Sequence, residues 1–203
     1  MTKEPTYNIL IDFDDVIYPF CDGIVAVCAE EGITGEITQW ALENDFGMDK
    51  ESFWEMVYQP KHHETLFLQS IDFQVLNQIR RLRYAGHRLH IVTAREGEHP
   101  ERFCREVLAR EKVPVDTLTF TKDKAAGPDE LDATFSLDDG PHNYEALNQV
   151  DHLTYLMDAP HNGAFTRSKS GMPVRRVNSM TEFTNTVIGF QQADVQMRGD
   201  VAV

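Results

Sequence analysis

Positive charge is in short supply in this chain. Of 203 residues, 19 are Lys or Arg against 33 Asp or Glu, and the formal net charge is −14. So acidic a surface repels a phosphate backbone, which argues against general nucleic-acid binding. It leaves room for a small phosphorylated ligand, because local donors and a metal ion override the global field. Cysteine is scarce too. Cys21, Cys28 and Cys104 are odd in number and widely spaced, which points to free thiols in a reducing compartment rather than a disulfide framework. Cys21 and Cys28, seven apart in a predicted helix, read as packing residues. No apolar run approaches the length of a membrane span. The opening Met1-Thr2-Lys3-Glu4-Pro5 lacks the apolar stretch of a secretory leader, and there is no repeat or low-complexity segment. The expectation is a soluble, cytoplasmic protein with one core, or one core plus a small insertion.

What the chain does have is an apolar run that ends in acid: Ile9-Leu10-Ile11-Asp12-Phe13-Asp14-Asp15-Val16. Asn8 to Ile11 reads as a buried strand, and carboxylates at a strand's end lie at the sheet edge, where open α/β folds hold ligands. Burying several carboxylates together costs several kcal/mol unless a cation or a shared proton compensates.

Strand and helix then alternate. Residues 70–86 read as a helix closed by Gly86, and Arg88–Thr93 as a core strand. Residues 98–112 read as a helix with Pro100 near its start. Further strands are read at Thr117–Phe120, at Ala133–Leu137 leading into Asp138-Asp139, and at His152–Met157. Such alternation predicts an α/β fold with a mostly parallel, Rossmann-like sheet flanked by helices. Residues 17–69 break the pattern. They are rich in helix formers and aromatics, and they are too long for a structureless loop. We read them as a helical cap inserted after the first strand, with residues 1–16 and 70–190 forming the core. From Gln191 onward the chain is polar without period and is expected to be unstructured or loosely docked.

Three strand ends carry complementary groups: Asp12 and Asp14, then Thr93, then Asp138 and Asp139, with Lys124 on the loop between the last two. Carboxylates hold Mg²⁺ through oxygen, a hydroxyl and an ammonium offset phosphate charge, and one carboxylate can attack phosphorus while another moves the proton. Each group alone has a blander use: Thr93 as a strand-end cap, Asp138-Asp139 as a turn, Lys124 as a solvated charge. The aromatics of 17–69 alone read as cap core. His62-His63 and His142/His161 form no helical His-x-x-x-His pair and have no cysteine partner in the sequence, so no zinc site is expected. His142 and His161 read as turn or supporting groups.

In their order, the four motifs resemble those of haloacid dehalogenase-type phosphatases. Within that superfamily the chain is most similar to the 5'(3')-deoxyribonucleotidases. The similarity rests on Val57-Tyr58-Gln59-Pro60 with Leu66-Phe67-Leu68, on Phe120-Thr121-Lys122-Asp123-Lys124, and on Asp138-Asp139-Gly140-Pro141-His142-Asn143 echoed by Met157-Asp158-Ala159-Pro160-His161-Asn162. The resemblance implies Mg²⁺-dependent hydrolysis of (deoxy)nucleoside monophosphates through an aspartyl-phosphate. Asp12 would be the nucleophile and Asp14 the general acid/base, its backbone carbonyl also touching the metal. Thr93 and Lys124 would hold the phosphoryl group, and Asp138 and Asp139 would complete the metal site. Phe20, Trp54 and Phe67 would stack on the base, and Ala94 and Arg95 would also contact the substrate. A homodimer is implied as well.

The chain departs from the family's pattern in two places. Asp15 stands where the family often has Gly, and the lysine motif offers Lys122 as well as Lys124. Other readings stay open: a phosphatase acting on polynucleotide ends or sugar phosphates, or a binding protein that kept the fold without the chemistry.

Overall fold

A computed structural model describes residues 4–95, 100–126, 130–148 and 152–200. Its six strands are β1 (Asn8–Ile11), β2 (Arg88–Thr93), β3 (Thr117–Phe120), β4 (Ala133–Asp138), β5 (Leu153–Met157) and β6 (Arg176–Val177). All pair in parallel, in the order β3-β2-β1-β4-β5-β6. Parallel strands covered on both faces must be apolar throughout, and β1 meets this with Ile9, Leu10 and Ile11 all buried.

The order has a direct consequence. From β1 the chain adds strands toward one edge, and from β4 toward the other. The sheet therefore reverses between β1 and β4, the place where loops diverge and leave a crevice beyond the strand ends. Register lines up the two ends: Ile11 pairs with Leu137, so Asp12 and Asp138 emerge side by side.

The helices follow their apolar faces. Helix α1 (Phe20–Glu30) buries Phe20, Ile24, Val27 and Cys28, a spacing of one helical stripe. Helices α2 (Leu42–Asp45), α3 (Lys50–Val57) and α4 (His63–Leu68) complete the segment between β1 and the next crossover. Asp49 caps α3 by accepting the amide of Ser52. Helix α5 (Phe73–Tyr84) starts later than the periodicity predicts, because Asp72 caps it by accepting the amides of Gln74 and Val75. It ends at Gly86, whose φ of +90° suits glycine. Helix α6 (Pro100–Arg110) buries Phe103, Cys104, Val107 and Leu108; the predicted start at residue 98 lies outside the described residues.

Two crossover pieces escaped the sequence reading: α7 (Pro141–Leu147) and the two-residue β6. The expected loose end from Gln191 is also corrected, because helix α8 runs from Met180 to Asp200. The buried Gln191 donates from Nε2 to the carbonyls of Pro5 (2.8 Å) and Ala85 (3.0 Å), and Asp194 accepts from the Tyr7 hydroxyl (2.7 Å). These polar ties carry no hydrophobic period, so periodicity could not reveal them. Among the described residues, no helix is long and apolar enough to cross a membrane.

Candidate active site

The chain leaves β1 through a tight turn. Asp12 donates its backbone N–H to Leu137 O (2.9 Å), and Tyr18 and Ile17 both return to Phe13 O. Asp15 sits at φ +56°, a left-handed conformation that Asp tolerates better than most residues. Phe13 donates its amide to Asp12 Oδ1 (2.7 Å), which fixes that carboxylate and leaves Oδ2 facing the crevice.

Lys124 opens a short 3₁₀ turn after β3 and is buried between two acids. Its Nζ lies 2.6 Å from Asp12 Oδ2 and 2.8 Å from Asp138 Oδ2. Asp138 Oδ1 accepts from the Gly140 amide (2.8 Å) and Asn143 Nδ2 (3.0 Å), which fixes that carboxylate. Burial alone would push the Lys124 ammonium toward neutrality, but Asp138 and Asp12 outweigh it and raise its pKa. Of the two lysines left open by the sequence, Lys124 enters the cluster and Lys122 is exposed.

Asp139 lies in the same cluster but faces elsewhere, with Oδ2 2.8 Å from His161 Nε2. Oxygen atoms of Asp12, Asp138 and Asp139 lie within 4.8 Å of one another. Burial first, then the neighbouring carboxylates, raise the pKa of Asp12 and of Asp139 well above the usual range; for Asp12, Lys124 opposes the rise. Three carboxylates against one ammonium leave an excess of two negative charges. The donors are all hard oxygens, so the set suits a divalent ion of the Mg²⁺ kind.

Asp14 is turned away from that cluster. Its Oδ1 accepts from Arg95 Nη1. Burial raises the pKa of Asp14 while Arg95 pulls it down. The Arg95 guanidinium lies over the rings of Phe103 (3.9 Å) and Phe20 (4.5 Å), a stack that orients it. Thr93 is buried at the end of β2, and its Oγ1 accepts the Arg95 amide (3.1 Å).

Asp12, Asp14, Thr93, Lys124 and Asp139 line a cavity of about 880 Å³. Ala94 and Arg95 line it beside Thr93, and residues from α1 to α3 supply the opposite wall. Trp54 stands parallel to Phe20 (centroids 6.5 Å apart, planes at 8°) and to Tyr58 (5.5 Å, 22°). Phe67 lies on α4, but its side chain is outside the described residues. Two wall residues were not singled out from sequence. Tyr58 extends the Trp54 stack, and the half-exposed Trp40 meets His142 and His161 edge-on (4.8 and 5.1 Å).

Cys21 corrects its sequence reading. Cys28 packs in the core as expected, but Cys21, in the first turn of α1, opens on the cavity and donates from Sγ to Asp15 Oδ2 (3.0 Å) and from its amide to Oδ1 (2.8 Å). Helical spacing puts both cysteines on one face; only the turn before α1 shows that the face runs out into the site. Asp15 thus has a partner rather than a solvated carboxylate, and burial raises its pKa to about 6.

No family model matches the chain, and no curated protein matches it. Solved structures do. A Clostridium acetobutylicum protein described as a predicted phosphatase aligns at 12% identity with TM-score 0.57, over 91% of this chain and 100% of its own. A 2-haloacid dehalogenase from Pseudomonas syringae aligns at 13% with TM-score 0.55, over 92% and 100%. A hydrolase from Streptococcus pneumoniae aligns at 16% with TM-score 0.53, over 76% and 94%. The fold is thus of the haloacid dehalogenase-like type.

Proposed function

We propose that the protein is a Mg²⁺-dependent phosphatase of the haloacid dehalogenase type that converts (deoxy)nucleoside monophosphates to nucleosides and phosphate. One observation carries the reading. A buried lysine holds two strand-end carboxylates, Asp12 and Asp138, and Asp12, Lys124 and Thr93 line one cavity together with the aromatic Phe20 and Trp54. The comparisons support the fold and, through the phosphatase and hydrolase among the neighbours, the reaction class.

In this reading Asp12, Asp138 and Asp139 would hold Mg²⁺, which when bound would supply positive charge against the phosphoryl oxygens. Lys124 and Thr93 bind and orient the same group. Asp12 Oδ2 attacks phosphorus, and the nucleoside oxygen leaves with the proton of Asp14. Asp14, then ionised, takes a proton from water as that water attacks the aspartyl-phosphate, which releases inorganic phosphate and restores Asp12. Burial suits Asp14 to this task because it favours the protonated carboxyl, and Arg95 keeps ionisation within reach. Phe20 and Trp54 form the platform for a base. The acidic surface favours a mononucleotide over a polynucleotide end, which would need a basic groove.

The test is phosphate release from deoxynucleoside monophosphates, ribose 5-phosphate and a 5'-phosphorylated oligonucleotide. Mononucleotides are expected to lead, EDTA to stop turnover, and Asp12→Asn to cut it by about 10³-fold or more. A preference for ribose 5-phosphate would remove the nucleotide assignment. Full activity in Asp12→Asn would remove the mechanism.

A further inference from the structure

Next to the carboxylate cluster lies a group of different chemistry. Asp15, Cys21 and His161 each bring one ligand-type atom within 4.8 Å of the other two. They come from the turn after β1, the first turn of α1 and the short turn Pro160–Asn162 after β5. Cys21 Sγ is 3.0 Å from Asp15 Oδ2 and 4.0 Å from His161 Nδ1. A tetrahedral ion with a thiolate at ~2.3 Å and N or O ligands at ~2.1 Å holds its ligand atoms about 3.6 Å apart. The two separations from Cys21 Sγ bracket that value, and the Asp15 and His161 atoms lie within 4.8 Å of each other.

Two further observations point to a ligand. His161 is only 7% exposed; its Nδ1 faces Cys21 Sγ, and its Nε2 lies 2.8 Å from Asp139 Oδ2. A histidine that ligates a metal through one ring nitrogen usually offers the other N–H to a carboxylate, and Asp139 stands where that carboxylate is needed. Moreover, all three residues line the cavity, so a fourth coordination position would open to solvent or substrate.

We infer that Asp15, Cys21 and His161 form a second metal site, for a borderline-soft divalent ion such as Zn²⁺, beside the proposed Mg²⁺ position. The S, N and O donors select against Mg²⁺, which takes oxygen ligands. Binding breaks the Cys21 S–H···Asp15 hydrogen bond. The thiol proton goes to solvent, and thiolate and carboxylate both turn to the ion. His161 links this ion to Asp139, so the two sites share a supporting side chain.

Cobalt tests the site without reference to turnover. Full-length protein freed of metal and held in excess Mg²⁺ is titrated with Co²⁺. The expected result is a near-ultraviolet thiolate-to-cobalt charge-transfer band that saturates at one equivalent and is displaced by Zn²⁺. The carboxylate cluster holds no sulfur and cannot produce that band. Cys21→Ser should abolish it, and His161→Gln should weaken Co²⁺ binding tenfold or more. Absence of the band in the unaltered protein at several equivalents, or its survival in Cys21→Ser, overturns the proposal. X-ray absorption on the Zn²⁺-loaded unaltered protein gives a readout independent of the variants: one sulfur in the coordination shell supports the site, and a shell of nitrogen and oxygen alone overturns it. Failure here leaves the phosphatase reading untouched, since no phosphate release is measured.

Discussion

Arg95 and Asp14 lie 81 residues apart in sequence, yet their side chains meet at 2.5 Å in the lining of the cavity. The guanidinium is pinned from behind by the Phe103 and Phe20 rings. Arg95 thereby acts on Asp14 as a fixed positive charge set against the desolvation that raises its pKa.

That opposition gives a signed pH prediction. Arg95→Met removes the lowering influence, so the Asp14 pKa rises, and the limb of the pH–kcat profile that belongs to Asp14 should move to higher pH. Arg95→Lys keeps the charge but loses the planar stack, and its profile should fall in between. Superimposable profiles for Arg95→Met and the unaltered protein would exclude Asp14 as the proton carrier.

Lys124 and Lys122 should differ sharply. Lys124→Met leaves Asp12 and Asp138 facing each other without their buried counter-charge, a loss of about 3–5 kcal/mol in the absence of divalent metal. Lys122→Met, at an exposed position, should stay within about 0.5 kcal/mol. Urea unfolding in EDTA reads both. Equal midpoints would show that Lys124 does not hold the two carboxylates together.

The aromatic wall predicts a split between substrates. Trp54→Ala should raise KM for a nucleoside monophosphate by about 5- to 100-fold, the range of a lost base–aromatic stack. For ribose 5-phosphate, which has no base, KM should hardly move. A parallel rise for both esters would assign Trp54 to the shape of the wall rather than to base binding.

Gln191 predicts a cost at a polar residue near the chain's end. Gln191→Ala leaves the buried carbonyl of Pro5 and the half-buried carbonyl of Ala85 without their donor and should lower stability by about 1–3 kcal/mol. Thermal unfolding at fixed pH measures it; an unchanged midpoint would mean that α8 is held by its apolar contacts alone, Phe183 and Val187 among them.

Much of this fold could be read along the chain, for a local reason. A parallel strand covered on both faces has to be apolar, so β1, β2 and β4 announce themselves, and the polar residue that ends each run marks the crevice. Short or polar elements send no such signal. Strand β6 has two residues, α7 is hidden behind the Asp-Asp-Gly-Pro motif, and the outer half of α8 is anchored by an amide.

The sequence by itself determined which chemistry could gather at one sheet edge: Asp12, Thr93 and Asp138 end successive apolar runs, with Lys124 on the loop between the last two. Tertiary structure alone decided which of these groups touch. It chose Lys124 over Lys122, turned Asp14 toward Arg95 instead of the other carboxylates, and brought Cys21 to His161 across 140 residues. Strand order and the angle of a turn arise from packing the whole chain at once, and spacing in one dimension carries no record of that packing.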